Sequence, residues 1–217
     1  MKETILVGHF RPDFDCMMGI ELYRAMVENG TASVRFFGKN GKVNIPRNAK
    51  KVVFIDTTPS REFLEKLRRD RCSVEIFDHH QQGNQTETAT SLVIRKIRAM
   101  TEKAIKIERE EGPSSLIVRS APYELSLERI DRLSVVADKK GTSDDMDIAR
   151  VIGGMHGIFS EIEIYKWSKK VVLSELAVGR DRVSETKCVE FFRNCLLEFL
   201  KKKNDAINAD FAGILER

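Results

Sequence analysis

The stretch GHFRPDFDCMMGIELYR, residues 8–24, directly follows a short apolar run at residues 5–7. It brings two carboxylates and an imidazole close together in the chain: His9, Asp13 and Asp15. An apolar run of this kind predicts a buried strand. A strand that serves only as structure does not need such a group of ionisable residues where it ends. The pattern therefore indicates a functional site at the end of the first strand.

The next seventy residues repeat the alternation of apolar runs and helical segments. Strands are predicted at 3–7, 33–37, 51–55 and 73–77, and helices at 17–28 and 60–67. Short strands separated by helices are typical of a parallel sheet, because right-handed crossovers place helices over its faces. We therefore predict an α/β fold with a parallel sheet and helices on both faces.

Three of the predicted strands end in the same kinds of polar side chain. The residues are His9, Asp13 and Asp15 after the first strand, Asp56 after the third, and Asp78, His79 and His80 after the fourth. The carboxyl ends of parallel strands converge at one edge of an open sheet, where ligands bind. Carboxylate and imidazole ligands suit Mn²⁺, Mg²⁺ or Co²⁺ better than zinc, which favours thiolates. Their number exceeds the needs of one ion, so a pair of ions sharing a carboxylate is expected.

The order and spacing of these residues resemble the four motifs of the DHH phosphoesterase superfamily. In this chain the motifs are His9-x-x-x-Asp13-x-Asp15, then Asp56, then Asp78-His79-His80, and finally Asp138. The superfamily includes RecJ-type exonucleases, oligoribonucleases that also act on phosphoadenosine phosphate, cyclic-dinucleotide phosphodiesterases and family II inorganic pyrophosphatases. The resemblance covers about residues 4–142.

The resemblance implies a phosphohydrolase that uses two Mn²⁺ ions, or Mg²⁺ or Co²⁺ in their place. It implies separate ligands for each ion and one shared carboxylate: His9 and Asp13 on the first ion, Asp15, His79 and Asp138 on the second, and Asp56 between them. It also implies two catalytic residues. His80 would face the phosphate as a donor, and Asp78 would orient the histidines.

Two motifs differ from the usual family pattern, and both differences add positive charge. Arg11 stands where the family commonly has Asn, and Lys139 and Lys140 follow Asp138 where Thr is common. We predict that these three cations bind the phosphate of the substrate. The alternative is that they are ordinary surface charges.

We predict a catalytic domain over residues 1–142 and a helical extension over 143–217 that packs on it, with no full second domain of the kind most family members carry. Further helices are predicted at about 91–101, 126–137, 144–152, 158–177 and 184–203. Residues 103–120 could form a hairpin around Gly112-Pro113. His156 is predicted to be an ordinary loop histidine.

Composition limits the partners. A net charge of +4 and 7% aromatic residues do not favour a long nucleic-acid groove. The four cysteines form no Cys-x-x-Cys pair, and neither a leader segment nor a membrane-length apolar run is apparent. We predict free thiols, a cytoplasmic protein with no membrane span, and a small phosphorylated substrate or short oligonucleotide. Apolar runs at 171–173 and 191–192 would bury a homodimer interface or cover the sheet.

A function of a different class is compatible with the same residues. A catalytically weak or inactive protein with this fold could use the site as a phosphate or nucleotide sensor, or act as a scaffold. The altered motifs around Arg11 and Lys139 and the missing second domain keep this alternative open.

Overall fold

The computed structural model describes residues 3–80, 87–111, 122–138, 148–157 and 159–178, together with 201, 204 and 205. Lys139 and Lys140 therefore lie outside the described residues, as do the boundary predicted at residue 142 and nearly all of the helix predicted over 184–203.

The described chain alternates strands and helices through β4 and is helical after it. In order, the elements are β1 (Glu3–Gly8), α1 (Phe14–Met26), β2 (Ser33–Phe36), β3 (Ala49–Ile55), α2 (Arg61–Arg69), β4 (Ser73–Phe77), α3 (Ala89–Glu111), α4 (Pro122–Asp138), α5 (Ile148–Met155) and α6 (Glu161–Val178). The four strands form one parallel sheet in the order β2-β1-β3-β4. The predicted α/β fold is confirmed.

The alternation of apolar residues along the central strands creates two hydrophobic cores. Ile5, Val7, Val52 and Phe54 point to the face covered by α2, where Leu67 is buried. The other face carries Leu6, Val53 and Ile55, which pack with buried residues of α1 and α3. Because side chains alternate along a strand, a run such as Lys51–Ile55 serves both faces at once.

The strand order creates a crevice at the carboxyl edge of the sheet. From β1 the chain crosses to β2 on one side, and β3 then pairs with β1 on the other side. Such a reversal of direction opens a gap between the two neighbouring strand ends, which is where open α/β sheets bind ligands. His9 follows β1 and Asp56 follows β3, so both residues lie at this crevice.

The described part of the helical extension joins the larger of the two cores. Ile152 and Met155 of α5, and Ile164 and Val172 of α6, are buried in the same cluster as α1. Within the apolar run at 171–173, Val172 lies in this core whereas Leu173 is 42% exposed. In the described region the run therefore contributes mainly to the interior.

Residues 103–111 do not form the first arm of a hairpin, because they continue α3 to Glu111. The alternation Ile105-Lys106-Ile107 resembles a strand, but it is embedded in a stretch rich in strong helix formers. Glu102 and Lys106 also have the i,i+4 spacing that supports a helix. The second arm of the predicted hairpin lies outside the described residues.

Within the described residues, no helix has the length and apolar character needed to cross a membrane.

Candidate metal centre

Asp56 lies at the centre of the candidate site. It follows β3 directly, is only 2% exposed and adopts a left-handed backbone conformation with φ of +57°. Its backbone N–H donates to the carbonyl of Phe77 at 2.7 Å, which fixes the turn against the end of β4. Non-glycine residues rarely occupy this conformation, and when they do they concentrate at functional sites.

The Asp56 carboxylate is close to three imidazoles but is not satisfied by hydrogen bonds. Its oxygens lie 3.1 Å from His9 Nε2, 3.5 Å from His79 Nδ1 and 3.6 Å from His80 Nδ1. Among the described residues, neither oxygen has a hydrogen bond of normal geometry. Burial raises the pKa of Asp56 to about 6, against the opposing effect of the contact with His9. A buried carboxylate of this kind is balanced by a nearby cation, which is the protonated His9 in the metal-free protein and could be a bound metal ion.

His79 links Asp56 to two further carboxylates. Its Nδ1 atom lies 3.8 Å from an oxygen of Asp15, and its Nε2 atom lies 3.7 Å from an oxygen of Asp138. The His79 side chain is buried, and its Nδ1 has no hydrogen-bond partner among the described residues. These separations are too long for hydrogen bonds. Ligand atoms that share an ion about 2.1 Å away lie roughly 3 to 4 Å from each other, a spacing that fits Asp15 and Asp56 around Nδ1. Asp138 lies at the other ring nitrogen, Nε2.

His80 differs from His79 in exposure and in its partner. Its side chain is 61% exposed and its ring stacks on His79 with 4.2 Å between centroids. Asp78 accepts from the His80 backbone N–H at 3.1 Å and lies 2.8 Å from Nδ1. Burial lowers the pKa of His80, but the contact with Asp78 and the charge of Asp56 raise it above its ordinary value overall. Asp78 therefore holds an exposed, proton-bearing imidazole at the edge of the site.

Asp78 is itself held in place by a hydrogen bond from Thr58. Thr58, two residues after Asp56, donates its hydroxyl to Asp78 at 2.6 Å. Burial raises the pKa of Asp78, but the bonds from Thr58 and His80 outweigh burial and keep it below the usual range. Among the described residues, the hydrogen bonds of Asp78 are to Thr58 and His80, and its role in orienting His79 stays a prediction.

The loop between His9 and Asp13 carries the first pair of predicted ligands. Asp13 caps α1 by accepting from the Cys16 N–H at 3.0 Å. Burial lowers the pKa of His9, but its contact with Asp56 and the charge of Asp13 raise it to about 9. Arg11 is exposed at this loop and has φ of +54°. The guanidinium of Arg11 lies over the Phe10 ring, 5.6 Å from its centroid. The loop therefore places an imidazole, a carboxylate and an exposed cation close together in the chain.

Asp15 is fully buried behind His79 and also caps a helix. Its two oxygens accept from the N–H groups of Ala89 and Thr90 at 2.8 and 2.9 Å, at the start of α3. The amides at a helix N-terminus favour a negative charge. Burial together with the charges of Asp56 and Asp13 acts in the opposite direction and raises the pKa of Asp15. Each oxygen keeps a second lone pair, so these bonds leave Asp15 able to bind an ion.

Comparison with known families agrees with this geometry. Residues 3–115, just over half of the chain, match the DHH family, N-terminal domain. The chain belongs to the DHH family. No curated protein and no solved structure gives a significant match. Members of the DHH family are generally phosphoesterases that use divalent metals.

The donors of this DHH chain fit a divalent cation. Asp56, Asp78, His79 and His80 can each offer a ligand atom within 4.8 Å of the others, and so can His9, Cys16 and Asp56 together. The buried oxygens of Asp56 and the Nδ1 atom of His79 have no hydrogen-bond partner among the described residues. Unpaired buried donors and acceptors of this kind are rare unless a ligand satisfies them. The structure therefore supports a metal centre at the carboxyl edge of the DHH sheet.

Sequence reasoning missed three neighbours of the site. Thr58 lies just before the helix predicted at 60–67, and its hydroxyl donates to Asp78. The Cys16 thiol donates to the carbonyl of Ile55 at 3.5 Å, between the ends of β1 and β3. His156 bonds the carbonyl of Pro12 at 2.9 Å. All three contacts join residues far apart in the chain, so no local pattern predicts them.

Proposed function

We propose that this DHH chain is a divalent-metal-dependent phosphohydrolase that cleaves a phosphodiester or phosphoanhydride bond. The observation that carries the proposal is the buried Asp56 carboxylate, which lies between His9 and His79 and has no hydrogen-bond partner in the part of the chain that the structure describes. We propose the ligand set His9 and Asp13 for one Mn²⁺ or Mg²⁺ ion and Asp15, His79 and Asp138 for a second, with Asp56 shared. Such ions supply Lewis acidity: they acidify a water molecule and draw charge from phosphoryl oxygens.

The chain's own residues would position the substrate and hold a proton. His80 is exposed beside the ligands, and Asp78 fixes its Nδ1 edge. Burial lowers the pKa of His80, but the contact with Asp78 and the charge of Asp56 raise it overall, which favours the protonated ring. A protonated imidazole there would stabilise negative charge that develops on the phosphoryl group. Thr58 supports this arrangement because it holds Asp78.

The proposed substrates are small nucleotides, cyclic dinucleotides or short oligonucleotides. Arg11 is the described cation on the ligand loop and would contact a phosphate outside the metal centre; we propose the same role for Lys139 and Lys140. The free thiols of Cys16 and Cys72 are compatible with a reducing cytoplasm. We also propose that the chain forms a homodimer, and light scattering would test this by measuring its mass in solution.

The proposal is tested by hydrolysis of bis-p-nitrophenyl phosphate with Mn²⁺, using purified wild-type protein, Asp56→Ala and His80→Ala. We expect Asp56→Ala to abolish turnover, since it removes the shared ligand. We expect His80→Ala to lower kcat by about 10²–10⁴-fold with Mn²⁺ still bound. Wild-type protein that binds Mn²⁺ but hydrolyses neither this compound nor a panel of nucleotides would favour the sensor or scaffold alternative.

Two further measurements test whether Arg11 binds the substrate and whether that substrate is a small molecule or a polynucleotide. Arg11→Ala should raise KM for a charged substrate, whereas Arg68→Ala, an exposed arginine at the end of α2 beside the start of β4, should not. Binding to a short oligonucleotide should weaken steeply with salt if several phosphates are contacted, and only slightly if one phosphate is held.

A further inference from the structure

His156 reaches from the helical extension to the loop that carries the first predicted ligands. It lies just beyond the end of α5, and its Nε2 atom is 2.9 Å from the backbone carbonyl of Pro12. The two residues are 144 positions apart in the chain. Among the described contacts, this is the hydrogen bond that ties the extension to the segment between His9 and Asp13.

That segment has an unusual shape that needs support from outside. Arg11 has φ of +54°, a left-handed conformation that non-glycine residues seldom adopt. Pro12 follows it, has no N–H and is buried. Such a conformation persists only when neighbouring contacts hold it in place. The carbonyl of Pro12 is the contact point that the fold provides, directly before Asp13.

We propose that His156 is a positioning residue, whose hydrogen bond to Pro12 holds the His9–Asp13 loop in the form that binds a divalent cation. This inference rests on the proposed function, because it assigns a role toward the same metal centre. This hydrogen bond gives the helical extension a role beyond packing against α1, because it preorganises one side of the metal site. Contacts that orient metal ligands from outside the ligand set often change metal affinity 10–100-fold when lost.

The tautomer and charge of the His156 imidazole are consistent with this positioning role. A carbonyl oxygen only accepts, so Nε2 must carry the proton in the contact with Pro12. Burial lowers the pKa of His156, against the effect of the Pro12 contact, so the ring is neutral at pH 7. A neutral ring adds no positive charge beside His9 and Arg11, and therefore does not oppose the arrival of a cation.

The chain offers a matched control for a purely structural role. Tyr165 of α6 donates its hydroxyl to the buried Glu21 of α1 at 2.6 Å. This bond also fastens the extension to the first half of the chain, but it does so away from the ligand loop. Loss of either bond should lower stability, whereas only loss of the His156 bond should change metal affinity.

The test is Mn²⁺ titration calorimetry on the wild-type chain, His156→Phe, His156→Gln and Tyr165→Phe. We expect His156→Phe, which keeps a ring but no donor, to weaken Mn²⁺ binding at least tenfold. His156→Gln can present an amide N–H at a similar distance, so it should bind within about threefold of wild type. Tyr165→Phe should bind like wild type while its thermal midpoint falls. If the phenyl ring prevents folding, His156→Ala removes the same donor.

Hydrogen exchange on the metal-free proteins provides a readout independent of metal binding. Amides of Phe10, Arg11 and Asp13 should exchange faster in His156→Phe but not in Tyr165→Phe. Unchanged exchange together with unchanged Mn²⁺ affinity in His156→Phe would overturn the inference. Wild-type protein that binds no Mn²⁺ would instead overturn the proposed function, and the exchange data would still decide whether His156 positions the loop.

Discussion

Thr90 holds the start of α3 against the start of α1 by donating two hydrogen bonds to Asp15. The Thr90 N–H donates to the Asp15 carboxylate at 2.9 Å, and the Thr90 hydroxyl donates to the Asp15 backbone carbonyl at 2.9 Å. Both residues are fully buried. One predicted metal ligand is therefore also the cap of a core helix, so the fold and the site share a residue.

This relationship predicts a stability effect that depends on the hydroxyl alone. Thr90→Val keeps the shape of the side chain but removes the hydroxyl bond to the Asp15 carbonyl, which lies within α1 and still accepts its helical hydrogen bond. A hydrogen bond of this kind contributes about 0.5–1.5 kcal/mol, so the free energy of unfolding should fall by about that amount. Thr90→Ser retains the hydroxyl and should lose less. Urea denaturation of the metal-free proteins measures both, and equal losses in the two variants would contradict the assignment.

His9 should titrate far from its ordinary range in the metal-free protein. Burial lowers its pKa, but contact with the Asp56 carboxylate raises it to about 9. Asp56→Asn removes that charge, and Asn tolerates the left-handed backbone at this position, so the pKa of His9 should fall. NMR titration of the imidazole resonances measures the change, and an identical pKa in both proteins would contradict the ion pair.

The raised pKa of His9 also makes the stability of the fold depend on pH, in a direction that can be stated. The folded-state pKa of His9 lies above its unfolded value of 6.5, so protonation of His9 stabilises the fold. This contribution is fully present below about pH 6.5 and is lost as the pH rises through about 9. In Asp56→Asn the loss should shift to lower pH, following the lower pKa of His9. Thermal midpoints measured from pH 6 to 10 without metal follow this contribution.

Gly8 should not tolerate a side chain. An added Cβ atom would lie 2.7 Å from the Cys16 sulfur and 2.9 Å from the Phe36 ring. Because Cys16 is fully buried, the contact cannot be relieved without moving α1. Overpacking of this kind costs about 1–3 kcal/mol, so Gly8→Ala should lower the free energy of unfolding by that amount.

Gly153 provides the control for that substitution. It lies in α5, and nothing is within 4 Å of a Cβ atom added there. Alanine is the better helix former, so Gly153→Ala should leave stability unchanged or raise it by about 0.5–1 kcal/mol. Comparable losses at both positions would show that the close approach at Gly8 is not what matters.

Most of the sheet could be predicted because it depends on local patterns, and the same patterns place the candidate ligands at the ends of its strands. Apolar runs of five or so residues identify strands such as Ser73–Phe77, whose bounds were predicted as observed. The strand-end rule then places Asp56 and His79 at one edge without any knowledge of the fold's details. The start of α1 was placed three residues too late, at Met17, because Asp13 was interpreted as a ligand and not also as a cap.

The remaining features depend on contacts between distant parts of the chain. The capping of α3 by Asp15 joins residues 74 and 75 positions apart, and the His156–Pro12 bond joins residues 144 apart. No periodicity marks such pairs. The left-handed backbone of Asp56 is equally invisible in sequence, since an aspartate after a strand commonly adopts ordinary conformations. Tertiary structure, rather than local preference, decides these features.

We propose that Asp56 is shared by two metal ions, and a single spectrum of the protein can test this sharing. Electron paramagnetic resonance of the protein loaded with Mn²⁺ distinguishes a pair of ions held about 3.5–4 Å apart from isolated ions, because close Mn²⁺ ions couple through a bridging carboxylate. Wild-type protein should give the coupled spectrum, and Asp56→Asn should lose it while remaining folded. A spectrum of isolated Mn²⁺ in the wild type, or a coupled spectrum that survives in Asp56→Asn, would contradict the shared carboxylate.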